Sequence, residues 1–227
     1  MASRTGTDCI IVYMKSLHLK ILENELQKRL QYPYVWGRKQ NNLWDSYTNF
    51  IYTTDTWEAL MPQMTTILEK YKLNKRDLFN YTINRWYNFW SAIAVEHIFT
   101  SLPGVIPSKN SKNRLVDFTI HNIPFDHKTT VFPKQFKKSL AYAKNHEKEL
   151  ITWLYDNQST QQRHHLKNRL FIVVFEEQGA HWKLKADLFL LKTEIEKYVS
   201  NFNPNKLHSL TFADNSQALS AIIWVTK

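Results

Sequence analysis

Residues 115–128 read Leu-Val-Asp-Phe-Thr-Ile-His-Asn-Ile-Pro-Phe-Asp-His-Lys, and their composition indicates a β-hairpin. β-Branched and aromatic side chains predict one strand from Val116 to Ile120 and a second from Ile123 to Lys128. The two residues between them, His121 and Asn122, form the predicted tip, because asparagine is among the few residues that tolerate a positive φ. A tip of two residues also fixes how the strands pair.

The predicted pairing divides the hairpin into an apolar face and a polar face. Counting back from the tip, Phe118 lies opposite Phe125 and Asp117 lies opposite Asp126, with Cβ atoms about 4.5 to 5.5 Å apart. Lys128 shares the face of Asp126, because side chains alternate along a strand with a period of two. Two carboxylates and a lysine on one face can hold a divalent cation beside a phosphate. A register shift of one residue would separate them.

Composition indicates a single folded domain that binds a polyanion. With 227 residues, of which 43% are hydrophobic and only four are glycine, we predict one domain over residues 1–227, with residues 1–14 as a loose N-terminal arm. The formal net charge of +10 favours nucleic acid as a partner. No apolar run approaches the roughly 18 residues of a spanning helix, so no membrane partner is expected. A single cysteine, Cys9, indicates a reducing compartment and a cytoplasmic location.

The order of the remaining elements predicts an α/β fold with a mixed central sheet flanked by helices. Periodicity and capping residues predict helices near residues 16–30, 57–70, 76–100 and 186–202. A further helix is predicted to begin at Pro133 and to continue after a break as far as Tyr155. Apolar runs predict strands from Arg169 to Glu176 and from Ser220 to Val225. Residues 101–114 are predicted to form a loop.

The hairpin resembles the motif of the PD-(D/E)XK nuclease superfamily, to which many Type II restriction endonucleases belong. The motif reads here as Val116-Asp117, a gap of eight residues, and Asp126-His127-Lys128, with valine in place of the usual proline. The order of helix, hairpin, helix and strand between Arg76 and Glu176 is also similar to the common core of that family. The resemblance covers about the middle half of the chain, and it implies a restriction-endonuclease-like core.

The resemblance implies a role for each of five residues. Asp117 and Asp126 would be ligands of Mg²⁺, with the main-chain carbonyl of His127 as a further ligand, and Glu96 of the preceding helix would add an acidic group. Lys128 would orient or help to deprotonate the attacking water. These residue types suit the chemistry, since Mg²⁺ prefers hard oxygen ligands and a lysine stabilises a developing phosphorane. Two close carboxylates repel, so we expect one raised pKa.

Two further sets of residues are candidates for contacting DNA. Amide and cationic side chains suited to base edges occupy one loop, and they are Arg38, Lys39, Gln40, Asn41 and Asn42. Cationic residues on either side of the hairpin would position phosphates, and they are Lys109, Lys112, Arg114, Lys134, Lys137 and Lys138. The loop is also compatible with simple backbone contact or with an ordinary polar surface.

The sequence therefore predicts a Mg²⁺-dependent, site-specific endonuclease of the Type II restriction class, part of a restriction-modification system, which hydrolyses phosphodiester bonds in duplex DNA. Recognition of palindromic sites implies a homodimer, and no small-molecule cofactor is expected beyond the metal. Two alternatives stay open. A repair or recombination nuclease of the same fold would act on ends or structures. A non-catalytic DNA-binding module would carry the acidic pair only as a structural feature.

Overall fold

A computed structural model describes residues 18–108, 116–157 and 167–227. Its contacts group the chain into two compact units. Among the described residues, the first comprises those up to Val95 together with Lys185–Leu188, and the second comprises those from Glu96 to Leu184 and from Phe189 to Lys227. The proposed arm over residues 1–14 lies outside the described residues. The expectation of a single domain stays a prediction.

The first unit is helical in its described residues. It contains α1 (Leu19–Lys28), α2 (Asn42–Tyr47), α3 (Trp57–Tyr71) and most of α4 (Lys75–Thr100). The helix α3 begins where the capping residues predict, because the Thr56 hydroxyl accepts a hydrogen bond from the Ala59 N–H at 3.4 Å. Large aromatic side chains form much of the core, and the rings of Trp57 and Trp86 pack edge to face at 5.8 Å.

In the part of the chain that the structure describes, the second unit is built on a mixed sheet of six strands. They are β1 (Val105–Pro107), β2 (Phe118–Ile120), β3 (Ile123–Val131), β4 (Arg169–Phe175), β5 (His208–Thr211) and β6 (Gln217–Thr226). The spatial order is β1-β2-β3-β4-β6-β5. The strands β1, β2 and β3 are antiparallel, β3, β4 and β6 are parallel, and β5 is antiparallel to β6. The predicted α/β class with a mixed central sheet is confirmed.

Helices cover the sheet of the second unit, which contains α5 (Leu140–Asn145), α6 (Glu147–Asn157) and all but the first residue of α7 (Leu188–Ser200). Leu150 and Leu154 of α6 are buried in one cluster with Phe171 of β4 and Ile222 of β6. The strand β4 is apolar from Leu170 to Phe175 because both faces of a parallel strand are covered. None of the helices in the described ranges is both long and apolar enough to cross a membrane.

Several predicted boundaries differ from the structure. The strand β2 begins at Phe118 rather than Val116, because its ladder with β3 ends there. The helix predicted from Pro133 is instead a short 3₁₀ turn, Lys134–Phe136, which stops at Lys137, whose φ of 57° is incompatible with a continuing helix. The short strand β1 lies in the segment predicted to be a loop. The strand β5 and the helix α2 were not predicted.

Candidate active site

The hairpin of β2 and β3 has the predicted register from Phe118 to the turn, but the predicted pairing of Asp117 with Asp126 is not part of its ladder. The paired residues are Phe118 with Phe125, Thr119 with Pro124, and Ile120 with Ile123. His121 and Asn122 form the turn with φ values of 46° and 65°, the left-handed conformation that tight hairpin turns require. Because side chains alternate along β3, Asp126 and Lys128 share one face of the strand and His127 lies on the other.

Asp117 lies immediately before β2 and is held by His127. The Asp117 N–H donates to the Phe125 carbonyl at 2.8 Å, so the chain leaves the regular ladder before it pairs with Asp126. Asp117 Oδ2 accepts a hydrogen bond from the backbone N–H of His127 at 2.9 Å and lies 2.6 Å from His127 Nδ1. The imidazole stacks on the Phe118 ring at 6.0 Å. The side chain of Asp117 is thereby fixed at the end of the hairpin.

The pKa shifts of Asp117 and His127 describe an ion pair. Burial raises the pKa of Asp117, but the hydrogen bonds and charge of His127 outweigh burial and lower it below 3.8. Burial lowers the pKa of His127, but the hydrogen bond and charge of Asp117 raise it above 6.5. Each shift favours the charged form of the group, so imidazolium and carboxylate stabilise each other.

Asp126 is paired with Arg169, the first residue of the neighbouring strand. The two residues lie side by side in the parallel register of β3 and β4. Arg169 Nε donates to Asp126 Oδ2 at 2.7 Å, and Arg169 Nη2 donates to the same oxygen. Burial nevertheless raises the pKa of Asp126, because it outweighs the charge of Arg169 and acts together with the charge of Asp117.

The two aspartates act on each other. Hydrogen bonding to Asp126 is among the effects that lower the pKa of Asp117, and the charge of Asp117 contributes to the raised pKa of Asp126. The expectation that one carboxyl group of the pair has a raised pKa therefore holds for Asp126. Two carboxyl groups coupled in this way titrate as a pair.

Glu96 joins this cluster from the last turns of α4. Burial raises the pKa of its carboxyl group to about 7, while the charge of His127 lowers it and the charges of Asp117 and Asp126 raise it further. Glu96 is thus within electrostatic reach of both aspartates, as the resemblance implies. A carboxyl group with a pKa near neutrality can exchange a proton at physiological pH.

Lys128 has a lowered pKa. Burial and the charge of Arg169 lower the pKa of Lys128 to about 8, against the opposing effect of Asp126. Both protonation states of this amine are therefore populated in mildly alkaline solution. A lysine of this kind can accept or donate a proton, whereas an exposed lysine is almost always charged.

The donor set suits Mg²⁺ better than a metal ion that is held by protein side chains alone. Across the residues that the structure describes, no group of three or more His, Cys, Asp or Glu side chains is arranged to hold a metal ion. Structural zinc requires such a closed set, whereas Mg²⁺ binds through one or two carboxylates and takes its other ligands from water and substrate phosphates. The interacting pair of Asp117 and Asp126 fits the second pattern. The carbonyl of His127 stays a predicted ligand.

The loop proposed for base recognition lies in the first unit. Arg38 Nη1 is 3.3 Å from Asp77 Oδ2, and the guanidinium lies over the Trp44 ring at 4.5 Å from its centroid. Asn41 Oδ1 accepts a hydrogen bond from the Trp44 N–H at 2.9 Å, so Asn41 caps α2. All five residues of this set are exposed. Contact with DNA stays a prediction.

The candidates for phosphate binding fall into two groups. Lys134, Lys137 and Lys138 are exposed between β3 and α5, in the same unit as Asp126. Lys138 Nζ lies 5.0 Å from the centroid of the Tyr142 ring. The candidates before the hairpin lie outside the described residues, and they are Lys109, Lys112 and Arg114.

Two residues of the site were not predicted. Arg169 is the partner of Asp126, and its only signal in the sequence is a charge at the start of an apolar run. Asn168 joins neighbouring strands, because its amide donates to the Pro124 carbonyl at 3.0 Å and accepts from the Leu219 N–H at 2.8 Å. Both roles depend on the pairing of β4 with β3 and β6, which a single sequence does not specify.

Comparisons with protein-family models, with curated proteins and with solved structures gave no match. The functional argument therefore depends on the site itself. Its distinguishing features are two interacting aspartates, a half-buried glutamate and a half-buried lysine in one compact unit.

Proposed function

We propose that this chain is a Mg²⁺-dependent endonuclease that hydrolyses phosphodiester bonds in duplex DNA, with an active site of the PD-(D/E)XK type. One observation carries the proposal: Glu96, Asp117, Asp126 and Lys128 come together from α4, the segment before β2, and β3, and burial raises the pKa of Glu96 and Asp126 and lowers that of Lys128. Clusters of buried titratable groups with perturbed pKa values are enriched at catalytic sites.

Each side chain has a defined task in this proposal. Asp117 and Asp126 would hold Mg²⁺, which supplies Lewis-acid chemistry to a phosphodiester. Lys128 binds the attacking water and, with a pKa of about 8, takes up its proton. Glu96 orients the same water through its carboxyl group. The ammonium form of Lys128 stabilises negative charge that develops on the phosphate oxygens.

The order of elements in the second unit supports a restriction-endonuclease-like core. The end of α4 leads into the antiparallel strands β1, β2 and β3, and α5 and α6 then precede β4, which pairs parallel to β3. This order is similar to the one on which the family resemblance depends. The proposed ligands lie where β2 and β3 leave their ladder, next to the start of β4.

Site-specific cleavage by a cytoplasmic homodimer, as part of a restriction-modification system, is included in the proposal. The formal net charge of +10 supports a DNA substrate, because cationic proteins are attracted to the phosphate backbone. The exposed amides of Gln40 and Asn42 support base reading, since such groups match the edge of adenine. Two copies would each cut one strand of a palindromic site.

A specific observation favours a second candidate function. Each aspartate already has a cationic partner in this chain, since Asp117 is paired with His127 and Asp126 with Arg169. In a non-catalytic DNA-binding module these pairs would serve only to stabilise the end of the sheet. Such a module would bind DNA with strong salt dependence and would cut nothing in the presence of Mg²⁺.

Cleavage of phage-sized duplex DNA in Mg²⁺ or in chelator tests the proposal. We expect discrete fragments that require Mg²⁺ and that are reduced by about 100-fold or more in Asp126→Asn and Lys128→Gln. The matched controls Asp156→Asn and Lys148→Gln change the same residue types at exposed positions of α6 and should cut normally. A smear that depends on Mg²⁺ would favour a repair nuclease, and DNA that is bound but uncut would favour the binding module.

A further inference from the structure

We propose that Arg169 is a positioning residue that couples cation binding at Asp126 to binding of the substrate phosphate. This inference rests on the proposed nuclease function. The guanidinium of Arg169 pairs with Asp126 and moves to the phosphate when DNA is bound. Asp126 is then released to bind the cation, so cation and substrate enter the site together.

The hydrogen bonds of Arg169 make this exchange chemically simple. Its Nε and Nη2 both donate to a single oxygen, Asp126 Oδ2. The planar fork of an arginine fits a carboxylate and a phosphate equally well, because both present oxygens at a similar spacing. A guanidinium can therefore leave one anion for another by a small movement of its own side chain.

The surroundings of Arg169 keep the guanidinium at the site. The strands β3 and β4 set Arg169 directly beside Asp126. The guanidinium carbon lies 5.8 Å from the centroid of the Tyr155 ring and 5.9 Å from that of Phe171. Aromatic faces attract a cation at such distances, so these rings would continue to hold Arg169 after its carboxylate partner is released.

The charges of the site explain why substrate is needed. The side chains of Arg169 and Asp126 are 10% and 19% exposed, so water screens their charges only in part. A dication at Asp126 would meet the positive charges of Arg169 and Lys128 at short range, which opposes its binding. A phosphate supplies negative oxygens that offset both cations. Coupling of this kind is reciprocal, so the cation must strengthen DNA binding by the same factor.

Mn²⁺ binding to the full-length chain tests the coupling without measuring cleavage. Free Mn²⁺ is followed by electron paramagnetic resonance, with and without a mixed-sequence DNA duplex whose phosphorothioate linkages resist hydrolysis. We expect DNA to tighten Mn²⁺ binding by the wild type about tenfold or more. Arg169→Gln should bind Mn²⁺ about tenfold more tightly than the wild type in the absence of DNA, and it should gain little from DNA.

Two variants serve as controls for this measurement. Arg169→Lys retains the positive charge without the fork, so we expect weak Mn²⁺ binding in the absence of DNA and a reduced gain when DNA is added. Arg85 is another buried arginine with an aspartate partner, since its Nε lies 3.2 Å from Asp45 Oδ1 in the first unit. Arg85→Gln should therefore bind Mn²⁺ as the wild type does. Thermal unfolding checks that each variant is folded.

The outcomes separate this inference from the function on which it rests. If Asp126→Asn loses Mn²⁺ binding while the wild type and Arg169→Gln bind Mn²⁺ equally in both conditions, the coupling is overturned and the nuclease proposal stands. If no form binds Mn²⁺ with or without DNA, both are overturned. A gain from DNA that the wild type and Arg85→Gln show, and that Arg169→Gln and Arg169→Lys lose or reduce, supports the coupling.

Discussion

Glu96 gives the stability of the protein a defined pH dependence. Its pKa is raised from 4.5 to about 7 by burial, so between these pH values the folded state holds a proton that the unfolded state has lost. The free energy of unfolding therefore falls as the pH rises through this window. The stabilisation is fully present below about pH 4.5 and amounts to roughly 3 kcal/mol, because each unit of difference between the two pKa values is worth about 1.36 kcal/mol.

The neutral variant Glu96→Gln lacks this titration. Between about pH 4.5 and about pH 7.5, we expect the free energy of unfolding of the wild type to fall by roughly 3 kcal/mol relative to that of Glu96→Gln. Only the wild type must bury a carboxylate at position 96. Urea unfolding at a series of pH values measures the difference. Glu69→Gln, at an exposed position of α3, should follow the wild type. Parallel curves for the wild type and Glu96→Gln would contradict the raised pKa.

The sequence was sufficient to predict which side chains form the candidate site. It was not sufficient to predict which cationic residues pair with the two aspartates. The spacing of Asp117, Asp126 and Lys128 follows from one hairpin, so local rules were sufficient to group them. The partner of Asp126 is 43 residues away, and its identity depends on the register of two parallel strands. The pairing of Asp117 with His127 arises because the chain leaves the ladder at that point.

Among the elements, the hairpin of β2 and β3 was the easiest to predict, because its turn is short and its register follows from the turn. The strands β1 and β5 have only three and four residues in the structure, too few to show a period, and each is an edge strand with one partner. The helix α2 has six residues, and the asparagine that caps it cannot be distinguished in the sequence from any other polar loop residue. The long helix α4 has 26 residues and was predicted to within one residue at its start.

The turn of this hairpin provides a test at the level of the element. Asn122 has a φ of 65°, which a β-branched residue adopts only with strain. We expect Asn122→Val to lower the free energy of unfolding by about 1 to 2 kcal/mol. Asn122→Gly should change it by less, because glycine adopts a positive φ without strain.

Urea unfolding of both Asn122 variants checks this prediction. The control Thr119→Val introduces the same side chain two residues before the turn, within the extended strand β2, where valine is favourable. An equal loss of stability in Asn122→Val and Thr119→Val would show that the positive φ at Asn122 is not the cause of the loss.

Charge acts over the whole molecule. The formal net charge of +10 attracts a polyanion whatever the sequence of that polyanion, so it predicts affinity rather than specificity. The distribution of charge is more informative than its sum. If DNA lies across the candidate active site, the exposed lysines that follow β3 contact phosphates. Exposed lysines elsewhere contribute only to the long-range electrostatic attraction of DNA.

Salt dependence distinguishes these two contributions. Binding of duplex DNA, measured in chelator by fluorescence anisotropy, should weaken with salt at a slope of about −0.9 for each phosphate contacted. Replacing Lys134, Lys137 and Lys138 by glutamine should make the slope less negative by about 2 to 3, since each replacement removes one contact that releases counterions from a phosphate. Replacing the exposed Lys70, Lys75 and Lys206 lowers the net charge equally and should change the slope by less than about 1. Equal effects of the two triple variants would mean that DNA does not lie against the segment that follows β3.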